Sequence, residues 1–177
     1  MVPELDSRLI QIGAARMFGH IPAPIHRTLL RLGQPLRLRL WGLLRREVRG
    51  CHILAFDAAG RVLLVRHSYH LPGRWLLPSG GLSRGEDPAT TAARELAEET
   101  GCVLLNATWI TTDLRVMPGG WRNRVELVAG QTFGEPRADG REIAEAAFFS
   151  LDSLPETAGT TVHSSLALWH RWQESEG

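Results

Sequence analysis

The alternation of hydrophobic and polar positions changes character near residue 50. The segment "CHILAFDAAGRVLLVRH", residues 51–67, predicts two strands, because a turn sequence at Asp57–Gly60 separates two apolar runs. Further strands are predicted in "CVLLNATWITTDL", "RVELVAGQTFG" and "EAAFFSL". A loop rich in Gly and Pro lies between the first pair and the rest, at 68–85. The pattern therefore predicts a sheet of several strands after residue 50.

Two helices are predicted within and after this run of strands. The first spans Pro88–Thr100, because Pro88 suits a first helical position and Gly101 suits a C-cap. Its buried face is expected to carry small apolar side chains: Ala89, Ala92, Ala93, Leu96 and Ala97. The second, "VHSSLALWHRWQE", places two tryptophans at near-helical spacing, which is typical of a core-facing stripe. The mixture of strands and helices indicates an α/β fold.

Residues 1–49 have a different texture and a different charge. Apolar positions at helical spacing are interrupted by prolines, which predicts a partly helical extension. The segment holds nine arginines against three acidic residues, a net charge of +6, whereas residues 50–177 hold eleven against sixteen, a net charge of −5. We interpret it as an extension that packs on the body or on a second subunit, with an anionic membrane or nucleic acid as the alternative partner.

The composition limits the chemistry that the chain can perform. The 177 residues are 44% hydrophobic and 22% charged, as in a globular protein. None of the 20 basic residues is a lysine, which excludes Schiff-base chemistry on a lysine. Cys51 and Cys102 lack the spacing of a redox or zinc motif and are expected to be reduced and buried. With no recognisable signal or membrane-spanning segment, a cytoplasmic location is expected.

Three glutamates on the predicted helix need an explanation. Glu95, Glu98 and Glu99 stand at i, i+3 and i+4, so their carboxylates converge and repel by about 0.2–0.5 kcal/mol per pair. They approach the C-terminal end, where the helix dipole favours cations. A solvated face with an Arg94–Glu98 pair is the simple interpretation. A hard dication, Mg²⁺ or Mn²⁺, is the alternative, since both prefer carboxylate oxygens.

The spacing around these glutamates distinguishes the two interpretations. The string G-x5-E-x7-R-E-L-x-E-E-x-G-C resembles the Nudix box, G-x5-E-x7-R-E-U-x-E-E-x-G-U, in which U is a bulky aliphatic residue. Eight positions fit: Gly80, Glu86, Arg94, Glu95, Leu96, Glu98, Glu99 and Gly101. Cys102 departs from the last position, but cysteine packs as a small apolar residue. The resemblance spans roughly residues 50–157.

This resemblance implies a fold and an activity. The fold would be a Nudix-type α/β/α sandwich with a mixed central sheet, formed by a domain at 50–177 that follows a mainly helical extension at 1–49. The reaction would be the Mg²⁺- or Mn²⁺-dependent hydrolysis of a diphosphate bond in a nucleoside diphosphate linked to another moiety. A non-catalytic nucleotide-binding or regulatory module is the alternative. A homodimer is a further expectation from the family.

The resemblance also implies roles for individual residues. The metal ligands would be Gly80, through its carbonyl, and Glu86, Glu95, Glu98 and Glu99. The catalytic set would be Arg94, Glu95, Glu99 and a downstream base. Glu142 in "DGREIAE" matches that base best, with Glu145 and Glu135 as its rivals.

The substrate is left open by the sequence. Arg66, Trp121, Arg122 and Arg124 are the predicted substrate-binding residues, with Arg122 or Arg124 as a phosphate clamp. Tyr69, Trp75 and Phe133 are further candidates for stacking on a base, although Trp75 is expected to belong to the core. The partner is a nucleotide or another small molecule with a diphosphate, and an RNA end is a less favoured alternative.

Overall fold

The computed structural model describes residues 47–68, 71, 73–117, 120–140 and 142–176. In this part of the chain the elements are β1 (Glu47–Phe56), β2 (Val62–His67), β3 (Ser79–Gly81), α1 (Pro88–Thr100), β4 (Val103–Val116), β5 (Arg122–Phe133), β6 (Ile143–Phe149) and α2 (Thr160–Glu176), with a 3-10 turn at Leu151–Ser153. The predicted N-terminal helices lie outside the described residues. Residues 47–49, which were assigned to that extension, belong to β1.

The strands form one mixed sheet, which confirms the predicted sheet type. The order is β4-β5-β1-β2-β6, and β3 pairs with β1 off this path. β1 and β5 run parallel over their paired length, whereas the other pairs are antiparallel. β3 was not predicted, because its three residues lie inside the Gly-rich loop and carry no hydrophobic alternation. Pairing with β1 alone defines it as a strand.

Successive residues of β1 point to opposite faces of the sheet, and each face is covered by one helix. Ile53 packs in a cluster with Ala92 and Leu96 of α1. Its neighbour Leu54 packs in a second cluster with Val162 and Leu166 of α2. The period of two along a strand therefore produces two cores on one sheet. The result is a sheet with a helix on each side.

The bounds of α1 and its C-cap are those predicted from the sequence. The side chain of Asp87 caps the N-terminus by accepting a hydrogen bond of 2.8 Å from the backbone N–H of Thr90. Pro88 occupies the first turn, where a missing N–H leaves no bond unmade. Gly101 ends the helix in the left-handed region at φ 70°, which favours glycine.

The buried face of α1 differs from the prediction at three positions. Ala97 is exposed, whereas Thr91 and Thr100 are buried. The Thr100 hydroxyl donates a 2.7 Å hydrogen bond to the carbonyl of Leu96, so it enters the core without an unmet donor. The buried face is thus rotated toward the side that carries Glu95 and Glu99.

The C-terminal helix packs as predicted. Trp169 stacks on Phe56 of β1 with ring centroids 4.4 Å apart, and Leu166 is buried. Neither helix in the described residues combines the length and the apolar character needed to cross a bilayer.

His52 of β1 is expected to make unfolding depend on pH. Burial, with a smaller effect of Arg115, lowers the pKa of His52 from its ordinary value of 6.5 to about 4. Between pH 6.5 and 4, His52 is protonated in the unfolded chain but neutral in the folded chain. The free energy of unfolding therefore falls as the pH drops from about 6.5 toward 4. Between pH 7 and 5, the free energy of unfolding should fall by roughly 1–2 kcal/mol less in His52→Gln than in the original protein.

Urea unfolding at pH 7, 6 and 5 measures this effect. His163→Gln, at an exposed position of α2, is the matched control and should follow the original protein. Parallel curves for the original protein and His52→Gln would contradict the prediction.

Candidate functional site

The side chain of Glu95 lies across the backbone of Gly80, so α1 and β3 approach each other closely. A Cβ built on Gly80 would lie 2.0 Å from Cδ of Glu95. Any other residue at position 80 would displace this carboxylate. Gly80 is held in place by β1, because it pairs with Cys51. The glycine of the motif thus provides the space in which one of its glutamates lies.

Arg94 contacts three carboxylates of the motif. Its NH1 lies 2.9 Å from Glu95 Oε1 and 3.4 Å from Glu98 Oε2, and its NH2 lies 3.7 Å from Glu86 Oε1. Glu86 also accepts a 3.0 Å hydrogen bond from the backbone N–H of Ser83, which fixes it in the turn before α1. Arg94 therefore holds three like charges together, as a guanidinium with five N–H donors can.

Glu99 is the most strongly perturbed carboxyl of the described residues. Burial raises its pKa to about 8, and the charges of Glu95, Glu142 and Asp139 add to this effect. The backbone N–H of Ser79 lies 3.4 Å from its Oε2 and opposes the shift. Burial likewise raises the pKa of Glu95, although Arg94 partly offsets it. Burial thus disfavours the negative charge of both carboxyl groups, and Arg94 partly compensates that of Glu95.

The loop before β6 brings Glu142 to the same place. The backbone N–H of Arg137 donates a 2.8 Å hydrogen bond to the carbonyl of Thr100, which ties this loop to the end of α1. Asp139 then accepts a 3.0 Å hydrogen bond from the backbone N–H of Glu142. The charge of Glu142 raises the pKa of both Glu95 and Glu99.

The rival residues lie elsewhere. Glu145 forms a 3.0 Å ion pair with Arg66 of β2, and Glu135 lies at the opposite end of the sheet beside the β1–β2 turn. Of the three candidate bases, only Glu142 acts electrostatically on both Glu95 and Glu99.

The donors around Gly80 suit a hard dication. All are oxygens, and burial disfavours the negative charge of Glu99 and Glu95, so a cation there would offset a real cost. Within the described ranges, no three His, Cys, Asp or Glu side chains are grouped closely enough to form a ready metal site. Arg94 engages three of the carboxylates instead.

Arg66 and Trp121, two of the predicted substrate-binding residues, are engaged within the fold. Arg66 pairs with Glu145, and its guanidinium lies 4.8 Å from the ring of Trp75. Trp75 belongs to the cluster under α2, so Arg66 lies on the sheet face away from α1. Trp121 is only 8% exposed, which leaves little ring surface for a substrate.

Arg122 and Arg124 begin β5, where their strand runs beside β1. Arg122 is exposed. Arg124 donates a 2.8 Å hydrogen bond from Nε to Oε1 of Glu126. Phe133 is 52% exposed but ends the same strand, far from Gly80. Tyr69 lies outside the described residues.

Sequence reasoning did not single out Glu126, although a signal was present. It is an acidic residue inside the apolar run "RVELVAG", and it is only 3% exposed. Burial alone would raise its pKa, but hydrogen bonds from Thr112, Arg124 and Trp109 outweigh burial and lower it. A buried, ionised carboxylate in a central strand marks a polar cluster that hydrophobic alternation does not predict.

Comparison with known proteins establishes the family. Residues 46–170 match the family model of the NUDIX domain, so the chain belongs to that family and the resemblance of the motif is confirmed. A protein named NAD-capped RNA hydrolase NudC from Vibrio vulnificus is 30% identical over 110 residues, 62% of this chain and 41% of that protein. A protein named RNA pyrophosphohydrolase from Caulobacter vibrioides is 41% identical over 88 residues, 42% of this chain and 51% of that protein.

A comparison with solved structures also supports the fold. A MutT NUDIX hydrolase from Burkholderia pseudomallei superimposes with a TM-score of 0.60 at 25% identity, covering 69% of this chain and 97% of that chain. The chain spans about half or less of the length of the curated relatives described above.

Glu99→Gln is expected to stabilise the protein in the presence of a chelator. The neutral amide has nearly the same shape and avoids the cost of a buried charge that Glu95 and Glu142 repel. At pH 8.5 we expect the free energy of unfolding to rise by roughly 1–3 kcal/mol. Glu98, whose side chain is 62% exposed, supplies the control, and Glu98→Gln should change stability by less than about 0.5 kcal/mol. Equal urea midpoints for the original protein and Glu99→Gln would disprove the expectation.

Proposed function

We propose that this chain hydrolyses a diphosphate bond in a substrate that joins a nucleoside diphosphate to another moiety, with a divalent cation as cofactor. The observation that carries the proposal is the close approach of Glu95 to Gly80 beside the buried carboxyl of Glu99. Membership of the NUDIX domain family supports the same reaction class. A pure binding module would have no use for these buried carboxylates, which disfavours the non-catalytic alternative.

The cation would be Mg²⁺ or Mn²⁺, held by the carbonyl of Gly80 and by Glu86, Glu95, Glu98 and Glu99. When bound, it supplies Lewis acidity toward the diphosphate and lowers the pKa of a water. Glu95 and Glu99 are the central ligands in this proposal, since burial makes their negative charge costly without a cation. Arg94 positions the carboxylates of Glu86, Glu95 and Glu98.

Glu142 is the proposed general base. It is carried to the end of α1 by the loop that Arg137 anchors on Thr100. Its charge acts on Glu95 and Glu99. The Glu142 carboxylate would therefore lie close enough to accept a proton from a water near those residues. The proton of the attacking water would pass to Glu142, and the new phosphorus–oxygen bond would replace the bond to the leaving phosphate.

Two observations bear on the substrate class. The names of the curated relatives point to RNA 5′ ends, either NAD-capped or carrying a pyrophosphate. The net charge of +6 over residues 1–49 favours a polyanion as well. ADP-ribose and nucleoside triphosphates are the small-molecule alternatives.

Turnover should depend on the acidic residues of α1. With Mg²⁺ or Mn²⁺, we expect the original protein to hydrolyse at least one member of a panel of NAD-capped RNA, 5′-triphosphorylated RNA, ADP-ribose and nucleoside triphosphates. Glu98→Gln and Glu99→Gln should each lower kcat/KM on the order of 100-fold, because the cation supplies several kcal/mol of transition-state stabilisation.

Glu174→Gln is the matched control for these substitutions, since it changes an exposed carboxylate of α2. Its activity should equal that of the original protein. Binding without hydrolysis across the whole panel would favour the non-catalytic module instead.

The choice between Glu142 and Glu145 can be tested directly. Glu142→Gln should lower kcat at least tenfold, as expected for loss of a general base. Glu145→Gln breaks an ion pair with Arg66 on the other sheet face and should leave kcat within about twofold. Steady-state rates at saturating substrate give both values. An unchanged kcat in Glu142→Gln would remove it from the mechanism.

A further inference from the structure

Glu126 of β5 organises a polar cluster that the proposed chemistry does not use. Its Oε2 accepts hydrogen bonds from Trp109 Nε1 at 2.9 Å and from Thr112 Oγ1 at 2.6 Å. Its Oε1 accepts one of 2.8 Å from Arg124 Nε, and Arg49 NH2 lies 3.8 Å away. Glu47 Oε1 lies 3.9 Å from Arg49 Nε, so two guanidinium groups and two carboxylates meet at this point.

This cluster lies on the same sheet face as the acidic site and close to it. Glu126 is the register partner of Cys51 in the parallel pair, and Cys51 is the partner of Gly80. Neighbouring strands lie about 4.8 Å apart, so the backbone of Glu126 is about 10 Å from that of Gly80. Cys51 packs with Leu96 of α1, which defines the face. The separation is comparable to the length of one nucleoside phosphate unit.

Trp109 presents an aromatic surface at this cluster. It is 51% exposed, although large aromatic residues are usually buried. The hydrogen bond from its indole nitrogen to Glu126 fixes the ring in one orientation. A ring that is half exposed and also held in place is suited to stack on a planar ligand, since little conformational entropy is lost on binding.

The two arginines supply donors for an anion beside that ring. Arg49 Nε makes no hydrogen bond within the described residues, although Glu47 Oε1 lies 3.9 Å away, and the Arg49 side chain is 25% exposed. The backbone carbonyl of Arg49 accepts a 3.1 Å hydrogen bond from Leu82, so its position is tied to the strand that contains Gly80. The hydrogen bond to Glu126 occupies only one of the five N–H donors of Arg124.

We propose that Trp109, Arg49 and Arg124, held in place by Glu126, form the subsite that recognises the nucleoside monophosphate half of the substrate. The base stacks on Trp109, and the two arginines bind its phosphate. Glu126 is a positioning residue, because it acts through the other three. This inference rests on the proposed hydrolysis of a nucleotide-containing diphosphate and assigns the part of the substrate that the acidic residues do not contact.

Binding of reaction fragments tests the subsite without turnover. Equilibrium dialysis in the presence of a chelator would compare AMP, GMP, CMP and UMP with ribose 5-phosphate, which lacks a base. The original protein should bind at least one nucleoside monophosphate about fivefold or more tighter than ribose 5-phosphate. Trp109→Ala should abolish that preference, and Trp109→Phe should retain most of it. Arg49→Gln should weaken binding of both kinds of ligand.

Phe133→Ala is the control, because Phe133 is an equally exposed aromatic residue at the other end of β5. It should leave the preference unchanged. No preference for a base in the original protein, or a preference that survives Trp109→Ala, would overturn the subsite. Either result would leave hydrolysis by the acidic residues intact. Conversely, a normal base preference in a chain that hydrolyses nothing would contradict the proposed function and not the subsite.

Discussion

The close approach of α1 to β3 at Gly80 determines the arrangement of the candidate site. The carboxylate of Glu95 occupies the space where a side chain at position 80 would lie, so helix and strand meet with an acidic group between them. Ala92 and Leu96 hold the helix at this distance by packing on β1. The free energy gained from apolar contacts on one face of α1 therefore offsets the free energy lost by burying carboxylates on the adjacent face.

The helix side of this arrangement depends on short-range features, which is why the bounds of α1 could be predicted from the sequence, whereas β3 could not. The caps of α1 are set by Asp87, Pro88 and Gly101, and each acts within one turn of the helix. The spacing of the glutamates depends only on helical periodicity. Glu142 was predicted from its distance to the next strand, and the loop does bring its charge to Glu95 and Glu99.

The remaining residues could not be placed from the sequence, because their environment is set by neighbours distant along the chain. Arg66 meets Glu145 because β6 pairs with β2 in this register. Trp121 follows two glycines in the sequence, but it is buried directly before β5. Glu126 becomes informative only when β4 and β1 bring Trp109, Thr112 and Arg49 around it. Hydrophobic alternation predicts that a segment is a strand, but it does not predict which strands pair with it.

The parallel pairing of β1 with β5 affects how the protein folds during its synthesis. Glu47 aligns with Arg122, and the register continues to Phe56 and Gln131, so every contact in this ladder joins segments about 75 residues apart. Such long-range contacts form slowly, since the chain loses loop entropy before it gains them. While the ribosome is still adding β5, one edge of β1 remains open, and that edge can pair with the wrong strand. The nascent chain is therefore most prone to aggregation before β5 becomes available to pair with β1.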